Sequence, residues 1–285
     1  MTQRKQHLLL KSIPWNIARV CGGDPLADGG KSIRVGVVDT GINFYHPDLQ
    51  RNVKGGINIV DPSSLPLDDN GHGTHVSGII GASADSFGIV GVAPAVSLYA
   101  IKVMDAEGRG KLDDLLHGIA WAIRNDIHIL NISITDDSFM SPDLIDAVQK
   151  AIERGIFIVA AAGNNGYPEG FDDTVLSPAR IPEVIAVAAL DHANEKCPFS
   201  AAGPSIDIAA PGASIYSTYL GSEYTVLSGT SMAAAHVSGV AAILRQRHPQ
   251  ASPQQIKNML LQTMRPLPAQ AQKQLHGAGL VRLTS

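Results

Sequence analysis

Ile33-Arg-Val-Gly-Val-Val-Asp39 is a short, nearly continuous β-branched run that stops on a carboxylate. It is too short for a helix and lacks the polar alternation of a half-exposed strand, so it reads as a strand covered on both faces. Four further runs share this character: Val96–Val103, Ile127–Ile134, Ile156–Ala162 and Val184–Leu190. Between them, Lys111–Asn125 and Pro142–Arg154 read as amphipathic helices. In the second, Leu144, Ile145, Val148 and Ile152 recur at helical spacing, Pro142 suits the first turn and Gly155 ends it. Further on, Thr230–His248 is a long Ala-rich helix closed by Pro249, and Ser252–Gln262 starts with a proline after a Ser cap. Strands alternating with helices predict a parallel β-sheet with right-handed crossovers and helices on both faces, the α/β class.

The chain has 285 residues, 45% of them hydrophobic, and no linker interrupts it. One domain over 1–285 is expected, with 1–11 as an N-terminal extension and 263–285 as a polar tail bearing Pro and Gln. A net charge of −4 supplies no concentrated basic field, which argues against nucleic acid as a partner. The only basic cluster, Arg4 and Lys5 with Lys11 nearby, sits at the amino end. Cys21 and Cys197 cannot make a disulfide-dense scaffold and read as free thiols, although one bridge is open in principle. No apolar run approaches the roughly 20 residues that span a bilayer. Leu8–Leu10 lacks both a full hydrophobic stretch and a small-residue cleavage site. Two readings follow: a chain that stays inside the cell, or one already processed.

Four segments carry polar residues for which a plain core has no use: Val35-Gly-Val-Val-Asp-Thr-Gly41, Asn70-Gly-His-Gly-Thr-His-Val-Ser-Gly78, Val159-Ala-Ala-Ala-Gly-Asn-Asn-Gly166 and Ser228-Gly-Thr-Ser-Met-Ala-Ala-Ala-His236. Asp39 and Asn164 each stand just after a strand, where ligands of open parallel sheets gather. His72 and Ser231 each begin an apolar helical run, so both are presented at helix amino termini, whose free N–H groups favour developing negative charge. Each segment also has a plainer reading. Asp39 could be a turn residue before Gly41. His72 and His75 could bind zinc at i, i+3, but no Glu follows the first His as a zinc-protease helix requires. Ser231 could be a helix cap and Asn164 a left-handed turn residue. Their joint occurrence in one chain favours a single site.

Together these segments resemble the subtilisin-like serine proteases. Asp39-Thr-Gly41, His72-Gly-Thr-His75 and Gly229-Thr-Ser-Met-Ala233 match that family's three active-site signatures in its chain order Asp, His, Ser. The likeness runs from about Ser12-Ile-Pro14 to the helix before Pro249. The spacings, 33 residues from Asp39 to His72 and 159 from His72 to Ser231, are those of the compact bacterial members. The resemblance implies a serine endopeptidase in which Ser231 is the nucleophile, His72 its general base, Asp39 the group that orients His72, and Asn164 a side-chain oxyanion donor. It assigns His75 and His236 to helix packing. It also implies peptide or protein substrates, bound as an extended strand between Lys102–Gly108 and Ile132–Thr135. Ser133, Ile134, Thr135, Ala161 and Gly163 are the expected substrate-binding residues, in a pocket favouring large apolar residues before the scissile bond.

The sequence departs from the family at three places. Thr135 stands where Gly is usual, and Ala235 where Pro is usual; inside a helix Ala is the better former. Asp48 and Asp85 match side-chain ligands of the family's strong calcium site, and the loop Ser83–Ile89 would add carbonyl oxygens. Lys11 falls where an amide ligand is common, and an ammonium donates hydrogen bonds but cannot coordinate a cation. Calcium is therefore an open structural expectation and is not required for chemistry. Asp136 and Asp137 follow Thr135 at the expected cleft rim. Two other functions share the motifs: a peptide ligase or macrocyclase that passes the acyl-enzyme to an amine, and a catalytically silent peptide-binding pseudoprotease. A monomer without membrane contact is expected. Ser12-Ile-Pro14-Trp15 resembles the start of mature family enzymes, and Met1 with a short polar lead favours a cytoplasmic enzyme over a secreted, processed one.

Overall fold

The computed structural model describes residues 11–85, 87–136, 140–166, 173–267 and 277–283. In chain order the elements are α1 (Trp15–Cys21), β1 (Arg34–Asp39), β2 (Val53–Asn58), α2 (His72–Gly81), β3 (Ser97–Lys102), α3 (Leu112–Arg124), β4 (Ile129–Ile132), α4 (Pro142–Glu153), β5 (Phe157–Ala161), β6 (Ile185–Leu190), β7 (Ile208–Pro211), β8 (Ile215–Thr218), β9 (Tyr224–Leu227), α5 (Thr230–Arg247) and α6 (Pro253–Gln262). Seven strands form one sheet in the order β2-β3-β1-β4-β5-β6-β7, with every pairing parallel. The α/β reading holds.

Side chains alternate across this sheet, as a pleated strand requires. Val35 and Val37, Ile129, Phe157 and Val159, and Ile185 and Val187 pack into one core with α2 and α5. Val38, Leu130 and Ile132, Ile158 and Ala160, and Ala186 and Ala188 pack into the other with α3 and α4. Both faces are thus apolar and covered, which explains why the strands read as unbroken hydrophobic runs. Helix α4 begins as predicted: Pro142 occupies the first turn and the Ser141 side chain accepts from the Leu144 N–H. Helix α6 carries a full capping box between Ser252 and Gln255.

The strand order places the site. β1 has β3 and β2 on one side and β4 to β7 on the other, so the winding direction reverses between β1 and β4. In open parallel sheets the crevice beyond the carboxyl ends at such a point is the binding position.

The structure adds elements that the sequence did not announce. β2 is a half-exposed strand on the sheet edge. Its Gly56 has φ +153°, and a Cβ there would collide with the Ala100 carbonyl of β3, so this glycine permits the close pairing. β7 and the antiparallel hairpin β8–β9 were also unread; each strand is only four residues long. Cys21 and Cys197 are free, as expected. Burial pushes the Cys21 thiol up to about 12 and the Cys197 thiol to about 11, which keeps both protonated and unreactive.

Candidate active site

Asp39 is the last residue of β1 and wholly buried. His72 is the first residue of α2, and its Nδ1 lies 2.7 Å from Asp39 Oδ1. A carboxylate only accepts, so Nδ1 carries the proton and Nε2 is left as the basic nitrogen. The same Asp39 oxygen accepts from the Thr40 N–H at 2.7 Å. The imidazole remains 28% exposed. Its pKa reflects opposing causes. Burial lowers it, while the charges of Asp39 and then Asp68, with the hydrogen bond to Asp39, raise it; the net direction is upward.

Sequence reasoning missed what holds His72. The N-cap position of this helix is Gly71, which has no side chain to cap it. Asp68 does that work from outside. Its Oδ1 accepts from the Asn70 and Gly71 N–H groups (3.0 and 2.9 Å) and from Thr40 Oγ1 (2.8 Å). Its Oδ2 accepts from the Thr74 N–H and Thr74 Oγ1 (2.8 and 2.6 Å). Thr40 Oγ1 in turn accepts from the Gly73 N–H at 3.0 Å. Lys102, 3% exposed, donates to the carbonyls of Thr40 and Met104 and to Asp69 Oδ1, tying the ends of β1 and β3 to the loop before His72. A polar residue three or four positions before a helix is the only trace Asp68 leaves in the sequence.

Ser231 is the second residue of α5 and 6% exposed. At that position the backbone N–H has no intrahelical acceptor. Asn164 follows β5, and its Oδ1 accepts from both the Thr230 N–H (2.9 Å) and Thr230 Oγ1 (3.0 Å). A backbone N–H can only donate, so the atom facing it must be the amide oxygen; this fixes the Asn164 orientation. Its Nδ2 is then the free end, beside Gly229. Thr230 is the second residue the sequence did not single out: its hydroxyl also accepts from the Gly163 N–H at 3.2 Å. β1 and β5 flank β4, so the Asp39 and Asn164 strand ends stand two strand spacings apart, about 10 Å. Helices α2 and α5 pack on each other, and their amino ends are tied to this edge by the His72–Asp39 and Thr230–Asn164 contacts. No hydrogen bond joins His72 to Ser231 among the described residues; such bonds are commonly long before substrate binds.

His75 and His236 are buried and serve packing. His75 Nε2 meets the Ile215 carbonyl at 3.0 Å, and His236 Nδ1 the Met232 carbonyl at 2.7 Å. Burial lowers both to about 4, so they stay neutral.

Two of the expected substrate residues are tied to the elements that carry the site: the Ser133 N–H donates to the Val38 carbonyl and the Gly163 N–H to Thr230 Oγ1. Ser133 and Ile134 extend β4 past its pairing, and Ser133 Oγ accepts from Asn131 Nδ2 at 2.9 Å. A Cβ on Gly110 would collide with Ile134, so the segments 102–110 and 132–136 converge there. Ala161 departs from expectation: its methyl lies in the α5-side core, 1% exposed, so only its backbone can face a substrate. Gly163 has φ +116°, a conformation that favours glycine and turns the chain toward Asn164. Asp136 donates its N–H to the Ser177 carbonyl at 3.1 Å, while Asp137 lies outside the described residues.

The calcium expectation meets an obstacle. Asp48 Oδ2 accepts from the Ile89 N–H and the Tyr224 hydroxyl, both at 2.9 Å, and Oδ1 is buried without a partner. Asp85 Oδ2 accepts from Ser83 Oγ at 2.8 Å. The Lys11 ammonium donates to the Ser83 carbonyl and lies 3.6 Å from Asp85 Oδ1. Burial lowers the Lys11 pKa against the charges of Asp85 and Asp48, and raises that of Asp48 against the hydrogen bonds from Ile89 and Tyr224 and the charges of His46 and Lys11. Among the described residues no group of three or more His, Cys, Asp or Glu side chains could hold a metal. As they stand, these residues do not fit a divalent ion.

The chain is similar to known proteins along most of its length. The Subtilase family matches residues 30–279. Subtilisin BL of Lederbergia lenta is 42% identical over 273 residues, covering 95% of this chain and 97% of that protein. The thermostable alkaline protease of Halalkalibacterium halodurans is 43% identical over 273 residues, covering 95% of this chain and 72% of that protein. The crystal structure of a cold adapted subtilisin-like serine proteinase superposes with a TM-score of 0.85 at 29% identity, covering 95% of this chain and 98% of the other. The chain therefore belongs to the subtilase family, as a serine-type endopeptidase that acts on peptide or protein substrates.

Proposed function

We propose that Asp39, His72 and Ser231 are the catalytic triad of this endopeptidase and that Asn164 is its oxyanion donor. The 2.7 Å contact between His72 Nδ1 and Asp39 Oδ1 carries this reading, because it leaves Nε2 as the basic nitrogen of a ring that is 28% exposed. His72 Nε2 takes the Ser231 proton as Oγ attacks the scissile carbonyl, and returns it to the leaving amine. Asp39 stays ionised and stabilises the imidazolium. The carbonyl oxygen, as it gains charge, is met by the Ser231 N–H and Asn164 Nδ2. Losing one such donor costs about 2.7–4 kcal/mol, a figure that comes from subtilisin itself and not from this chain.

Specificity is broad and favours large apolar residues before the scissile bond, since the segments Ala160–Gly163 and Ser133–Thr135 bring no charge to the pocket. Thr135 narrows the cleft relative to a glycine. The described residues work as a single peptidase domain, since both core clusters share one sheet. The relatives lend no support to a cytoplasmic location. A fluorophosphonate probe should label Ser231, and Ser231→Ala should lower kcat by roughly six orders of magnitude, the scale known from subtilisin. Mass analysis of products from a defined peptide separates hydrolysis from ligation and cyclisation. Full activity in Ser231→Ala would end the assignment.

A further inference from the structure

The segment ahead of α1 is laid along the loop that covers Asp48. Ser12 pairs with Ile89 in a parallel bridge, and its N–H donates to the Gly88 carbonyl at 2.8 Å. This register carries Lys11 back over Ser83 and Asp85. Gly88, at φ +71°, crosses so close above Asp48 that a Cβ there would strike its carboxylate. The result is a small enclosure. Asp48 is wholly buried with Oδ1 unpartnered, the Asp85 side chain is 7% exposed, and the Ser83 carbonyl points to Lys11. Two carboxylates and a carbonyl make a cation site of hard oxygens, and the ammonium that the described residues bring to it is that of Lys11; the neighbouring His46 has its pKa lowered by burial, which favours its neutral form.

We propose that the Lys11 ammonium is the resident cation of the Asp48–Asp85 enclosure and that the protein holds this loop without a divalent ion. The chemistry excludes sharing. Calcium takes six to eight oxygen ligands, and Lys11 already occupies the Ser83 carbonyl, offers only donors and repels a second cation. The inference rests on geometry outside the triad and survives any revision of the catalytic roles. A tethered cation also differs in kind from a bound one: it cannot dissociate, and chelation cannot remove it.

Melting of the full chain in a Ser231→Ala background, which prevents self-digestion, tests this. Parent and Lys11→Arg should melt at the same temperature in EDTA and in millimolar calcium. Lys11→Gln should melt lower in EDTA and recover with calcium, by about 5–10 °C at roughly 100-fold over its Kd. That gain should vanish in Lys11→Gln/Asp48→Asn. A Lys11→Gln protein indifferent to calcium would overturn the proposal. So would a calcium response in the parent that Asp48→Asn abolishes, and this second arm decides the matter even if Lys11→Gln does not fold.

Discussion

Asp39 and Asp48 are both wholly buried carboxylates, and each leaves one oxygen without a partner: Oδ2 in the first, Oδ1 in the second. They differ in the cation they face. Asp39 meets an imidazole that is charged only when a proton arrives, and the ring stays partly open to solvent. Asp48 lies near His46, whose pKa burial lowers, and in the field of the Lys11 ammonium, whose charge does not come and go with the reaction. A carboxylate held against a titratable partner can move protons. The same group beside a fixed charge can only hold a loop.

The largest expected effect separates the two directly. Asp39→Asn should lower kcat about 10⁴-fold, because the amide favours the wrong imidazole tautomer while the geometry survives. Asp48→Asn should leave kcat/KM within about a factor of two, since the two carboxylates belong to networks that share no hydrogen-bond partner. Equal losses in a steady-state assay would break the comparison.

Next comes the oxyanion side. Asn164→Ala should cost about 10²–10³-fold in kcat with KM little changed. Thr230→Val keeps the backbone N–H to Asn164 but loses the hydroxyl, and should cost about tenfold or less. A Thr230 variant as damaged as Asn164→Ala would mean that Thr230 does more than anchor the amide.

The pH profile sharpens the role of the titratable cation. The base must be neutral, and the His72 pKa is raised above the ordinary 6.5, so kcat/KM should fall as pH drops through a value above 6.5. The stabilising share of the imidazolium runs the other way: it is fully present below 6.5 and is lost as pH rises through the folded-state value. Asp68→Asn removes one of the charges that raise His72, so the acid limb should move down while kcat falls about tenfold through the loosened helix start. A loss of activity with the limb unmoved would leave Asp68 a purely structural cap.

The smallest effect is at the cleft. Thr135→Gly should raise kcat/KM severalfold, by about 1 kcal/mol, for bulky residues before the scissile bond and change little for small ones. Identical profiles across a peptide library would remove Thr135 from specificity.

The elements that pack on both faces were legible because burial forces an unbroken apolar run, as in Val35–Val38 or Ile156–Ala162. Candidate chemistry was legible where it demands one residue type, as at Asp39, His72 and Ser231, the residues proposed as the triad. The supports were not. Asp68, Thr40 and Thr230 use hydroxyl and carboxylate groups that any turn or cap also uses, so nothing local marks them out. β2 escaped for the opposite reason: Lys54, Gly55 and Gly56 look like a loop, yet the glycine at 56 is what lets the strand approach β3. At Lys11 the sequence posed a conflict between an ion and an ammonium. Only the path of Ser12 along Gly88 and Ile89 gave the ammonium a place in the enclosure.

Helix α5 is buried at every residue from Thr230 to Leu244. A surface helix can drift in sequence on its wet side, but this one has no wet side over that length. Under random mutation, the element that presents Ser231, the proposed nucleophile, is therefore a stretch where almost any enlargement, even Ala to Val, meets packed neighbours. New specificities in this scaffold must come from the loops at the carboxyl edge of the sheet. A directed-evolution library spends its diversity well there and wastes it along α5.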